Sequence, residues 1–170
     1  LMQQSHPDYP LLISSWIAAF WEVFQVKSPI VPAIYHYLVL LVLLYSIWKY
    51  ISQKHRLIGL ITLVILSLDR HFIARAASSY ADTSLALIYL LATMELLTKR
   101  AHNSRSYLMI LGFSIGSALW IKNEAIPFFL FFLIAWFIKQ YKSSPQNAWA
   151  FLLGVSPFIL TLLYFKIQLA

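Results

Sequence analysis

The stretch Leu68–Leu91, LDRHFIARAASSYADTSLALIYLL, places Asp69, Arg70, His71, Arg75 and Asp82 in a chain that is otherwise mostly hydrocarbon. An ionised side chain at bilayer depth costs about 3 kcal/mol on insertion scales unless it is paired or wetted. The cluster therefore marks a water-facing loop or a polar cavity cut into a membrane domain. The segment before it sharpens the choice. Leu57–Leu68 is apolar but only about 18 Å long at helical rise, against a hydrocarbon core of about 30 Å. It crosses only if the helix runs on into Asp69–Arg75, whose charges must then face protein or water.

Composition sets the class. The 170 residues are 61% hydrophobic and 11% charged, with a mean hydropathy of +0.72. Those values belong to polytopic membrane proteins. The net charge of +7 does not point to nucleic acid, because the basic residues sit in short clusters between apolar runs, the topology signal of a membrane protein. The absence of cysteine removes disulfides and thiolate metal sites and says nothing about compartment. The chain opens on LMQQSHPDYP without a basic, then apolar, leader pattern and closes on YFKIQLA within an apolar run. Both ends are expected to be internal to a longer membrane protein.

The pattern predicts an all-α polytopic membrane protein with about six transmembrane helices plus one interfacial juxtamembrane helix. Residues 1–170 are read as one membrane-embedded domain: an outer loop over 1–10, an interfacial helix over 11–26 and transmembrane helices over 31–170. In the first helix Ser15, Ala18, Glu22 and Gln25 form a small or polar stripe beside Trp16, Phe20, Trp21, Val23 and Phe24, which fits a helix lying along the membrane surface. A plain short span is the competing reading. Ile34–Tyr50 follows a proline-broken turn at Lys27–Pro32 and ends in Trp48-Lys49-Tyr50, a headgroup-level ending. Further helices are predicted over Ala81–Thr98, Tyr107–Ile121, Ala125–Ile138 and Ala148–Phe165. Gly112 and Gly116 make a GxxxG pair that calls for close helix packing.

Loop charges predict orientation. Lys49, Lys54, Arg56, Lys99, Arg100, Arg105, Lys139 and Lys142 fill alternate loops that hold no carboxylate. The positive-inside bias puts those loops in the cytoplasm. If the first helix is interfacial, Asp8, Asp69, Asp82 and Glu124 all emerge on the outer side. Three polar elements then share that face: His6-Pro7-Asp8-Tyr9-Pro10, Asp69–Asp82 and Lys122-Asn123-Glu124. Arg and Lys clamp phosphate groups, and carboxylates act as bases or bind a divalent cation. Each group also has a plainer reading. His6 and His71 lack metal-ligand spacing and read as loop residues. Arg70 and Arg75 can pair Asp69 or snorkel. Lys122 and Glu124 can form an ion pair at a helix hairpin. Asp82, at a helix N-terminus, resists dismissal most.

These motifs, in this order, resemble the bacterial branch of the GT-C membrane glycosyltransferases. That branch is similar to protein O-mannosyltransferases and lipid A aminoarabinose transferases. His6-Pro7-Asp8-Tyr9-Pro10-Leu11-Leu12 resembles the family's His-Pro-Pro-Leu type segment leading into a juxtamembrane helix. Tyr80-Ala81-Asp82-x-x-Leu85-Ala86 resembles its Asp-x-Pro-Leu helix start, with Ser84 where proline is usual. Trp120-Ile121-Lys122-Asn123-Glu124 resembles its Thr-Lys-x-x-Gly segment, with Ile121 and Ala125 at the Thr and Gly positions.

The resemblance implies transfer of a sugar from a polyprenyl-phosphate donor to a lipid, glycan or protein acceptor, on the periplasmic or outer side of a bacterial inner membrane. It implies His6, Asp8, Arg75, Asp82, Lys122, Asn123 and Glu124 as site-lining groups, with Arg75 against a phosphate. The catalytic acidic residue is expected upstream of the His-Pro segment, so this stretch by itself is expected to be inactive. No resident metal is assigned, and a divalent cation stays open. A secondary transporter or lipid flippase with a polar midmembrane site is the alternative, since it too needs intramembrane charges and broken helices.

Overall fold

All regular structure among the described residues is helical, as the 3.6-residue periodicity and apolar composition require. The computed structural model describes residues 12–25, 27–77, 81–97, 104–141 and 147–169. The helices are α1 (Leu12–Phe24), α2 (Ile30–Ser52), α3 (Arg56–Leu68), α4 (Arg70–Ala77), α5 (Asp82–Leu97), α6 (Arg105–Gly116), α7 (Ala125–Tyr141) and α8 (Ala148–Leu169), with a 3-10 turn at Ser117–Trp120. Two of them, α2 and α8, are long and apolar enough to cross a membrane. The bent pair α3 and α4 makes a third if it counts as one span. The chain divides into two compact units, Ile13–Met94 and Leu1–Leu12 with Glu95–Ala170.

In the first unit, α1 buries none of its residues and stops where Gln25 turns left-handed at φ 53°, a common way for a helix to end. The Trp21 indole N–H donates to the Ser28 carbonyl at 3.1 Å, fastening the turn that follows. The second long helix begins four residues earlier than the proline pattern implies, at Ile30. Pro32 is accommodated because the first turn needs no N–H from it. On α2 the buried positions His36, Leu40 and Leu43 recur at helical spacing and form its inner stripe. Helices α2 and α3 pack as an antiparallel hairpin, with Gly59 set against Ser52.

The chain does continue past Leu68 in helix, but not straight. Between α3 and α4 it bends by 72°. Asp69 is the reason. Its N–H still bonds back to Ile65, closing α3, while its own backbone is extended at φ −72°, ψ 101°. Its carboxylate Oδ1 accepts from the N–H groups of His71 at 2.8 Å and Phe72 at 3.1 Å. A short acidic side chain has thus captured the first free donors of α4, which is how an N-cap starts a new helix.

In the second unit the GxxxG pair meets α8. A methyl group on Gly112 would lie 2.2 Å from the Phe151 carbonyl oxygen, and one on Gly154 would lie 2.1 Å from that of Met109. Each helix therefore lends a glycine to admit the other's backbone, the contact on which membrane helices rely. Around this seam Leu108, Ile115, Phe151 and Val155 are fully buried, and Trp136 of α7 stacks on Phe151 with ring centres 4.2 Å apart. Pro157 lies inside α8 and cannot bond the Leu153 carbonyl four residues back. The Ser156 hydroxyl donates to that carbonyl instead, at 2.9 Å, so the helix continues. The predicted helix Tyr107–Ile121 proves to be α6 followed by the tighter 3-10 turn.

Candidate functional site

The elbow between α3 and α4 opens a cavity of about 510 Å³, lined by Leu43, Asp69, His71, Phe72, Arg75, Ala76, Asp82, Thr83 and Ala86. Three elements position these groups. The carboxylate of Asp69 is held by its cap bonds. His71 and Arg75 are one turn apart on α4 and so share a face. Asp82 sits in the first turn of α5, where the helix dipole favours a carboxylate, and Arg75 sits in the last turn of α4, where it favours a cation.

Depth follows from register. Leu43 lies thirteen residues into α2, a helix of 23 residues, so the cavity stands about 20 Å from one end of a helix about 34 Å long. A site built from two carboxylates, a guanidinium and an imidazole thus lies beside the middle of a spanning helix. Thr83 and Ser84 are buried at the start of α5, and Ser84 Oγ lies 3.2 Å from the Tyr35 hydroxyl of α2. The cavity wall thereby continues into a polar layer.

Of the residues singled out in the sequence, Arg75 and Asp82 line this cavity together. Lys122, Asn123 and Glu124 belong to the other unit, in the turn between the 3-10 segment and α7. There the Lys122 and Asn123 carbonyls accept from the N–H groups of Ala125 and Ile126. His6 and Asp8 lie outside the described residues, as does Ser79, the cap expected before α5. Among the described residues no group of three or more His, Asp or Glu side chains is placed to hold a metal ion.

Sequence reasoning missed two features. Asp69 reads as an ion-pair partner in the sequence, yet it makes the elbow. The Asp followed by helix formers was the available signal. The second is a buried clasp in the other unit. The Glu95 carboxylate accepts from the Tyr107 hydroxyl at 2.7 Å and lies 3.6 Å from Lys139 Nζ, which also donates to the Glu95 carbonyl. An acid and a base in separate apolar runs gave only a weak hint of that pairing. Chemically the two polar sites differ. The clasp is buried between two helices and Tyr107, whereas the charged groups of the elbow line a cavity.

Described residues that are all helical, with helices long and apolar enough to cross a membrane, mark an integral membrane protein. Its residues 6–165 match the family model described as dolichyl-phosphate-mannose-protein mannosyltransferase, so the chain belongs to that family of GT-C type membrane glycosyltransferases. No curated protein and no solved structure matches it.

Proposed function

We propose that the elbow cavity receives the phosphate and sugar of a polyprenyl-phosphate-linked sugar, which the protein transfers to a lipid, glycan or protein acceptor. The observation that carries this reading is the cavity's position, beside the middle of α2 and walled by Arg75 on α4 and Asp82 on α5. A polyprenyl tail can stay in the bilayer while its headgroup enters a pocket at that level. The Arg75 guanidinium supplies parallel donors for phosphate oxygens. The Asp82 and Asp69 carboxylates, which repel phosphate, suit sugar hydroxyls as hydrogen-bond acceptors. His6, Asp8, Lys122, Asn123 and Glu124 are kept as proposed substrate-binding groups of the enzyme, with no position relative to the elbow, and none of them is assigned the role of base.

The topology that serves this chemistry has α1 in the interface and about six crossings, made by α2, the bent α3–α4 pair, α5, α6, α7 and α8. The cavity then opens to the outer side of a bacterial inner membrane, away from the basic loops.

Two measurements test the proposal. The full-length protein, reconstituted in liposomes, is assayed with polyprenyl-phosphate mannose. Arg75→Ala and Asp82→Asn are each expected to lower turnover at least tenfold while the protein stays folded, and unchanged turnover in both removes the elbow from the mechanism. These 170 residues contain no cysteine, so single cysteines can be introduced here once any elsewhere in the full-length protein are replaced. A cysteine at Lys122 should react with an impermeant reagent from outside, and one at Lys54 should not. The reverse result inverts the topology.

A further inference from the structure

One buried polar group that the proposed function leaves unused is His36. It is fully buried, at 0% exposure, and neither Nδ1 nor Nε2 has a hydrogen-bond partner. A buried polar atom left unsatisfied is expensive, and native proteins keep few of them without a use. Its place in the fold gives the use. His36 shares the inner stripe of α2 with Leu40 and Leu43, and Leu43 lines the elbow cavity. The imidazole therefore stands about 10 Å along the axis from the cavity wall, towards the N-terminal end of α2. The neighbouring Tyr35 ring packs edge-on against it, with centres 5.1 Å apart. Tyr35 in turn bonds Ser84, next in sequence to the cavity-lining Thr83.

We infer that His36 is a specificity-determining residue that reads the hydroxyls of the transferred sugar. This rests on the transferase reading above. A neutral imidazole carries one N–H donor and one bare acceptor nitrogen. A phosphate oxygen satisfies only the donor. A sugar hydroxyl both donates and accepts, and neighbouring hydroxyls on one ring satisfy both nitrogens together. His36 is not among the residues that line the empty cavity, so in this reading the sugar of a carrier phosphate bound at the elbow extends along α2 and side-chain rearrangement opens the way to the imidazole. The imidazole thus gains its partners in the loaded protein and goes without them in the empty one.

The test compares the full-length wild type with His36→Leu and His36→Gln. Each is titrated with polyprenyl-phosphate mannose and with polyprenyl phosphate lacking the sugar. The Leu variant, relieved of unsatisfied nitrogens, should melt at or above the wild-type temperature when empty. It should bind the bare carrier as wild type does and the sugared carrier at least tenfold more weakly. The Gln variant, with an amide donor and acceptor, should recover part of that loss. Should the Leu variant not fold, 15N-histidine spectra of wild type decide, with His36 assigned by its absence from the Gln variant. Its imidazole signals should shift with the sugared carrier and not with the bare one. A lower melting temperature with unchanged discrimination between the two carriers overturns the inference, as does equal weakening of both or an unmoved imidazole. Wild type that binds neither carrier fails differently: the transferase reading falls, and His36's role falls with it.

Discussion

The seam between α6 and α8 and the elbow between α3 and α4 solve opposite problems with opposite kinds of residue. At the seam, Gly112 and Gly154 remove side chains so that two backbones touch. At the elbow, Asp69 adds a side chain that ends one helix and starts another, and the space left by the bend becomes a cavity. One region gains van der Waals contact and has no room for a ligand. The other gives up helix continuity and gains a polar chamber. Close packing and, in the proposed reading, substrate binding are therefore drawn from different parts of the chain, and each can be damaged separately.

The largest effect is expected at the seam. Gly112→Ala or Gly154→Ala places a methyl group little more than 2 Å from a carbonyl oxygen of the facing helix. Backbone cannot swing aside as a flexible side chain can, so the helices must separate. The expected loss is about 3 kcal/mol, the upper end of ordinary overpacking costs. Thermal unfolding of the detergent-solubilised protein measures it. Gly59→Ala is the control from the elbow's own unit. A methyl there meets the Ser52 Cβ and backbone N at 3.3 Å, about 1 Å farther than at the seam, so helix shifts of a few tenths of an ångström relieve it and its melting temperature should stay close to wild type. Equal losses at Gly59 and Gly112 would erase the contrast between the regions.

Asp69 is expected to cost less and change more. Asp69→Ala removes both cap bonds, worth about 1 kcal/mol together, and frees α3 to run straight into α4. Spin labels on the two helices should report a longer and broader separation, and turnover should fall with the cavity's shape. Asp69→Asn keeps a capping oxygen and should keep the bend. A straightened pair in the Asn variant would show that charge, rather than the cap, makes the elbow.

Much of this contrast could be read in advance, and the limits have physical causes. The helical membrane class follows from composition, because only helices and closed barrels satisfy backbone groups in lipid. The shortness of Leu57–Leu68 called for helix beyond Leu68, since length is a property of the chain alone, but not for the 72° bend found there. The direction of the bend was not legible, because it depends on which N–H groups Asp69 captures. GxxxG announced a close contact without naming α8 as its partner, since both sides of a seam must be known before either can be matched. The pairing of Glu95 with Lys139 is long-range and leaves no local periodicity. His36 looked like one polar residue in an apolar run. Its burial and unpartnered nitrogens are facts of packing, which a linear pattern does not carry.

The smallest effect lies within α8 and tests whether the seam's helix is as continuous as its packing requires. Pro157 deprives the Leu153 carbonyl of its helical donor, and the Ser156 hydroxyl replaces it at 2.9 Å. Leu153 is half exposed on the outer face of the helix, where hydrocarbon offers no substitute partner. Ser156→Ala should therefore destabilise by about 0.6 kcal/mol, the mean worth of a side-chain hydrogen bond inside a membrane protein. The double change Ser156→Ala with Pro157→Ala restores a backbone N–H at position 157 and should remove the penalty, so the two substitutions must be strongly non-additive. If the effects simply add, the hydroxyl is not repairing the proline's defect. The seam would then tolerate an orphaned carbonyl.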